Sequence, residues 1–69
     1  MKRKEILASK PEELNGRLIR FDDDGNLQGT QIIEGTIVKV EGRILTVEWH
    51  DNGTRTRTDM ACPAIIEII

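Results

Sequence analysis

The middle of the chain alternates apolar and polar side chains in stretches separated by glycine turns, and this pattern constrains the fold most. Residues 36–40 precede Gly42, and residues 45–49 precede Asn52-Gly53. Asn-Gly between alternating stretches is the strongest short-range hairpin signal, because both residues tolerate the positive φ of a primed turn. A third stretch follows at 54–58. The pattern predicts three strands in a β-meander, at about 35–40, 44–50 and 54–58.

Two further strands are predicted outside the meander. Residues 17–21 mix apolar and basic positions with a period of two, and residues 65–69 are rich in β-branched side chains, which suit a pleated surface. Residues 22–34 are mostly polar and carry two glycines, which indicates a long loop. Ile32-Ile33 either anchors that loop or begins the second strand. The expected fold class is therefore all-β with five strands.

The alternation also predicts which side chains face the core. In the second strand it places Val38 and Val40 on one face, and in the third strand Leu45, Val47 and Trp49. We expect these two faces to pack together.

The first residues are predicted to form a separate short segment. Residues 1–13 are expected to be a tail or short helix, with Ile6 and Leu7 facing inward and Pro11 interrupting the helix. Residues 14–69 are expected to be the β domain. With 69 residues the chain has room for one core, and a core of this size is marginally stable.

Composition limits the compartment and the covalent chemistry. The single cysteine, Cys62, excludes an intramolecular disulfide and is typical of a reducing cytoplasm. No apolar run reaches the roughly 20 residues that cross a bilayer. The sequence therefore predicts a cytoplasmic protein with no membrane contact.

Three stretches of the sequence are similar to a known architecture. Residues 35–40, 45–53 and 62–68, with a long first loop and tight later connections, resemble the Tudor and KOW branches of the Src homology 3-type barrel. The resemblance covers about residues 14–69. It implies a small five-stranded Src homology 3-like barrel with a short N-terminal helical or irregular tail.

The usual ligands of such barrels need aromatic side chains that this chain lacks. Proline-rich peptides dock in aromatic grooves, methylated cations sit in aromatic cages, and single-stranded nucleic acids stack on aromatic platforms. Phe21 and Trp49 are the only aromatic residues, and we expect the core to use both. These three functions are disfavoured.

No motif predicts catalysis, a cofactor or a metal. Asp22, Asp24 and Asn26 have the spacing of calcium ligands, but the glycine and glutamate that complete an EF-hand loop are missing. His50 is followed by an aspartate, yet neighbours on a strand point to opposite faces. Cys62 precedes a proline and is expected to be a partly buried structural thiol. We predict no enzymatic activity, no cofactor and no metal.

The basic residues of the meander form a candidate nucleic-acid surface. Lys39, Arg43, Arg55 and Arg57 are predicted near one outer sheet face, where they could hold phosphates or an acidic protein. The alternative is an ordinary solvated face, since Glu41 and Glu48 share it and would pair with the arginines. The net charge of −2 is also low for a dedicated nucleic-acid binder.

The last strand suggests an association surface. If Ile66 and Ile68 face the core, Ile65 and Ile69 face outward along an unpaired edge, and such apolar edges mark contacts between proteins. Alternatively, the N-terminal segment covers them. We therefore predict a non-enzymatic interaction module that binds a protein partner or self-associates through Ile65 and Ile69, such as a bacterial or phage accessory or regulatory factor. The alternative is a KOW-like nucleic-acid or ribonucleoprotein contact.

An oligomeric enzyme is a distant third hypothesis. The chain loosely resembles the small barrel of the plasmid-encoded dihydrofolate reductases, but residues 54–57 lack the valine, glutamine, isoleucine and tyrosine of that family's site. The resemblance therefore does not carry the activity to this chain.

Overall fold

One antiparallel sheet of five strands forms the body of the chain in the computed structural model, which describes residues 1–22 and 32–69. The strand order is β4-β3-β2-β1-β5, so β4 and β5 are the edges of the sheet. In chain order the elements are α1 (Arg3–Ala8), a 3₁₀ turn (Pro11–Leu14), β1 (Leu18–Asp22), β2 (Ile32–Glu41), β3 (Ile44–Trp49), β4 (Arg55–Asp59) and β5 (Ile65–Ile68).

Both predicted hairpins form, and each has one left-handed glycine in its turn. Between β2 and β3, Gly42 has φ 59°, and only this first turn residue is left-handed. Between β3 and β4, Gly53 has φ 72° while Asn52 keeps a negative φ, since no described residue other than glycine has a positive one. The Gly53 N–H donates to the carbonyl of Trp49 at 2.8 Å. A single left-handed glycine closes this longer turn, so the expectation of a primed turn at Asn52-Gly53 is wrong.

A β-bulge in β2 changes which side chains enter the core. Ile37 pairs with Val47 and Lys39 pairs with Thr46, so Val38 is an extra residue on its strand. The bulge shifts the alternation by one position. Ile37 is therefore fully buried, and Val38 is only half-buried. The prediction that Val38 faces the core together with Val40 is wrong at Val38.

A second irregularity has the same effect in β5. Arg20 pairs with Glu67 and Phe21 with Ile65, which leaves Ile66 as the extra residue. Ile65 and Ile68 consequently both face the core, and Ile65 is only 6% exposed. The prediction that Ile65 faces outward is wrong, because the bulge reverses its side.

The N-terminal segment packs onto the sheet instead of leaving it open at β5. The N–H of Ile68 donates to the carbonyl of Met1 at 3.0 Å, and the amino terminus donates to the carbonyl of Ile68. Ile6 is buried in the core, whereas Leu7 is 45% exposed. The expected inward position of Leu7 is thus wrong. Met1 therefore bonds to the outer edge of β5, while the neighbouring Ile69 stays 55% exposed.

The core lies between the inner face of the sheet and the N-terminal segment. Trp49 is buried, as predicted, and its ring meets that of Phe21 edge-on at 5.3 Å. No helix within the described residues is long and apolar enough to cross a membrane. The buried apolar residues are Ile6, Leu14, Ile19, Ile37, Leu45, Val47, Trp49, Met60, Ile65 and Ile68.

Candidate functional site

Strand β4 is an edge of the sheet that no other strand covers within residues 1–22 and 32–69. It pairs only with β3 in the part of the chain that the structure describes. All of its residues are exposed except Thr58, which is intermediate. The other edge, β5, is covered by Met1, so the two edges of the sheet differ.

The register fixes which backbone groups of β4 point outward. The Trp49 N–H donates to the Thr54 carbonyl at 2.8 Å, and the Met60 N–H donates to the Arg43 carbonyl at 2.9 Å. Even-numbered residues of β4 therefore bond to β3, because directions alternate along an antiparallel strand. The N–H and C=O groups of Arg55 and Arg57 point to the free side, where residues 1–22 and 32–69 provide no partner.

A cleft of about 280 Å³ follows the inner side of β4. Its apolar lining comes from Phe21, Ile33 and Trp49, and its polar lining from Asp51, Asn52, Thr56, Arg57 and Thr58. The Trp49 indole Nε1 donates to the Thr56 hydroxyl at 2.7 Å. This bond satisfies the indole and ties the edge strand to the core.

The four predicted cations do not form a free basic patch. Arg55 Nε lies 3.4 Å from Glu48 Oε1, and Arg57 Nη2 lies 4.0 Å from Glu41 Oε1. The cross-strand pairing that the sequence offered as an alternative is therefore present.

The remaining two cations are also paired. Lys39 contacts the same Glu41 oxygen at 3.6 Å, and Arg43 contacts Asp59 at 3.7 Å. Lys39 and Arg57 thus meet around one carboxylate, while Arg43 lies with Asp59 at the far end of β4. Four cations share three carboxylates across this surface.

A second ionic network crosses the other half of the sheet. Arg20 is bonded at 2.9 Å both to Glu34 on β2 and to Glu67 on β5. The hydrogen bond to Glu34, followed by that to Glu67, raises the pKa of Arg20. Lys2 extends the network to Glu67 at 3.8 Å. It joins three strands to the N-terminal segment, and sequence reasoning missed it because its members come from distant positions.

A larger cleft, of about 650 Å³, lies beside this network and includes Ile32 and His50. His50 Nε2 is 2.8 Å from the Thr36 hydroxyl, on an exposed surface. Thr36 was not predicted as its partner, because the bulge and the β2–β3 register determine their proximity. The arginine, glutamate and histidine of this cleft are already bonded to protein groups, which leaves them little capacity to bind a ligand.

The other candidate residues are separate from β4. Cys62 is a free, partly buried thiol packed against the core, as predicted. Of the proposed calcium ligands, Asp22 ends β1, and Asp24 and Asn26 lie outside the described residues. Within residues 1–22 and 32–69, no group of three His, Cys, Asp or Glu side chains could hold a metal ion. Of the predicted association pair, Ile69 is 55% exposed and Ile65 is buried.

No protein-family model matches this chain, and no curated protein or solved structure matches it either.

Proposed function

We propose that this chain is a non-enzymatic interaction module that binds a protein partner by adding an extended segment of that partner to β4. The observation that carries the proposal is that the outward backbone groups of Arg55 and Arg57 have no backbone partner among residues 1–22 and 32–69. In strand addition, such main-chain groups supply the hydrogen bonds, and side-chain pockets beside them supply specificity. The cleft at Trp49 lies in the position that such a pocket requires.

The fold on which this function rests is, we infer, the Src homology 3-type barrel of the Tudor and KOW kind. Three neighbouring strands joined by short turns support it, together with a last strand that returns to pair with β1. A long segment between β1 and β2 and a tight connection before β5 fit the same arrangement.

A partner of different sequence fits this edge better than a second copy. In an antiparallel pair of β4 strands centred on Arg55, Thr56 or Arg57, an arginine of one copy would lie opposite an arginine of the other. Like charges directly opposite destabilise a sheet. Ile69 remains exposed and could contribute to a contact, but it lies near β5, whose edge Met1 covers.

Nucleic-acid binding through Lys39, Arg43, Arg55 and Arg57 is the weaker alternative. Each of these cations has a carboxylate within 4.0 Å. A phosphate backbone that contacted all four cations would have to cross the face of β2, β3 and β4, and would approach these acidic groups as closely as the basic ones. The net release of counterions, which supplies most non-specific affinity, would be small.

Proline substitution at the outward backbone position tests strand addition. Arg57→Pro removes an N–H that points away from β3, and proline is tolerated at such edge positions. Arg57→Ala removes the same side chain but keeps the N–H. Short peptides selected from a random displayed library on the wild-type protein should bind Arg57→Ala and should not bind Arg57→Pro. Amide exchange, followed by NMR, should slow at Arg55 and Arg57 when a peptide binds.

Two controls make the result decisive. The first is circular dichroism, which checks that both variants are folded. The second is a synthetic chain with an N-methylated Arg57 amide, which is used in place of Arg57→Pro if that variant unfolds. Peptides that bind Arg57→Pro as well as the wild type would overturn the proposal. Salt-dependent binding of duplex DNA or RNA that is lost in Arg55→Ala/Arg57→Ala, with no peptide binding, would favour the nucleic-acid alternative.

A further inference from the structure

We propose that the segment bound at β4 alternates acidic and apolar side chains, with carboxylates beside Arg55 and Arg57 and an apolar side chain in the cleft at Trp49. This inference rests on the proposed function, because it specifies the partner of the same edge.

The outer side of β4 favours acidic residues. Arg55 and Arg57 alternate with threonines, so both guanidinium groups project from one face of the strand. Their side chains are 62% and 66% exposed, and their ion pairs with Glu48 and Glu41 are long. Exposed pairs of this kind hold their members weakly. A carboxylate on an added strand would lie directly across from each arginine and could form a closer charged pair.

The inner side of β4 favours an apolar residue. Beside Thr56 and Thr58, the apolar part of its lining consists of Phe21, Ile33 and Trp49, and the polar residues Asp51, Asn52 and Arg57 complete the lining. The volume of about 280 Å³ is just below that of typical small-molecule pockets, roughly 300–1,000 Å³. The indole N–H is already bonded to Thr56, so the wall offers no free donor from this group. Its apolar part, at Phe21, Ile33 and Trp49, therefore suits an apolar side chain of an added strand.

The two sides together define a sequence pattern. Successive residues of a strand point to opposite faces of the sheet. An added strand must therefore present its side chains in turn to the arginines and to the cleft. The pattern that satisfies both is acidic–apolar–acidic, and an arginine-rich segment such as β4 itself does not satisfy it.

Synthetic peptides that differ only in one side of the pattern test this inference. The probes are a peptide of alternating glutamate and valine, one of alternating lysine and valine, and one of alternating glutamate and serine. Binding of the glutamate–valine peptide should shift the emission of Trp49, the only tryptophan. The lysine–valine peptide should bind about tenfold more weakly at low salt, with a smaller difference at high salt. The glutamate–serine peptide should leave the Trp49 emission unchanged.

A charge-reversed protein provides the matched control. Arg55→Glu/Arg57→Glu should reverse the preference and select the lysine–valine peptide, provided that its melting curve remains cooperative. If the charge-reversed variant unfolds, Arg55→Gln/Arg57→Gln takes its place, because it adds no negative charge. This variant should bind the glutamate–valine and lysine–valine peptides equally.

The outcomes separate this inference from the proposed function. Equal slowing of Arg55 and Arg57 amide exchange by the glutamate–valine and lysine–valine peptides would overturn the acidic pattern and leave strand addition intact. An unchanged Trp49 emission with protected amides would overturn the apolar position. If no peptide protects these amides, the proposed function fails as well.

Discussion

Trp49 is the residue that joins the core to the candidate binding edge. One side of its indole packs edge-on against Phe21, and its Nε1 donates to Thr56 on β4. Gly35 lies opposite Trp49 in the β2–β3 pairing, where a Cβ atom would come within 2.8 Å of the Glu48 carbonyl oxygen and 3.0 Å of the indole. Trp49 therefore fits because Gly35, its partner on β2, has no side chain.

Trp49→Ala should destabilise the protein by about 3–5 kcal/mol, which is typical for truncation of a large buried aromatic residue. A domain of this size has a free energy of unfolding of about 5 kcal/mol, near the lower end of the usual range. The variant should therefore be largely unfolded at room temperature, as thermal and urea unfolding would show.

Trp49→Phe is the control for that prediction. It retains most of the buried ring but loses the bond to Thr56, so it should fold with reduced stability. A Trp49→Ala protein with the melting temperature of the wild type would contradict the core position of this residue.

At the scale of elements, two bulges explain where sequence reasoning failed. The number, order and approximate bounds of the strands could be predicted, because alternation and glycine turns are local signals. The core faces of β2 and β5 could not be predicted in full, since one extra residue at Val38 or Ile66 interrupts the alternation and puts the residues on its two sides out of phase. Whether a strand contains a bulge depends on its partner strands, which the sequence does not specify.

The N-terminal helix is an integral part of the core, and this can be tested on two adjacent residues. Ile6 is buried against the sheet while Leu7 points to solvent. Ile6→Ala should lower the free energy of unfolding by about 2–5 kcal/mol. Leu7→Ala removes as many carbon atoms and should change it by no more than about 0.5 kcal/mol. Equal effects in urea unfolding would mean that α1 does not pack as described.

At the scale of the whole molecule, the candidate site follows from topology more than from any motif. Residues 54–58 contain no apolar side chain, and charged residues are typical of edge strands. That signal was available in the sequence, but it was interpreted there as a basic face. It could not show that Met1 covers β5, the more apolar strand, while no described residue pairs with the outer side of β4. The partner of each edge is a long-range property of the fold.

The covering of β5 by Met1 also has a consequence for the order of events during folding. This contact spans 67 positions of the chain, whereas β2, β3 and β4 are joined by short turns. Closing a long loop costs more chain entropy than closing a hairpin. We therefore expect the meander of β2, β3 and β4 to organise first and the contact between Met1 and β5 to follow. Ile68→Val should then mainly accelerate unfolding, and Val47→Ala should mainly slow folding in stopped-flow measurements. The opposite assignment would mean that the distant ends of the chain meet before the hairpins form. In the expected order, the candidate binding strand β4 belongs to the meander of β2, β3 and β4, which forms earliest.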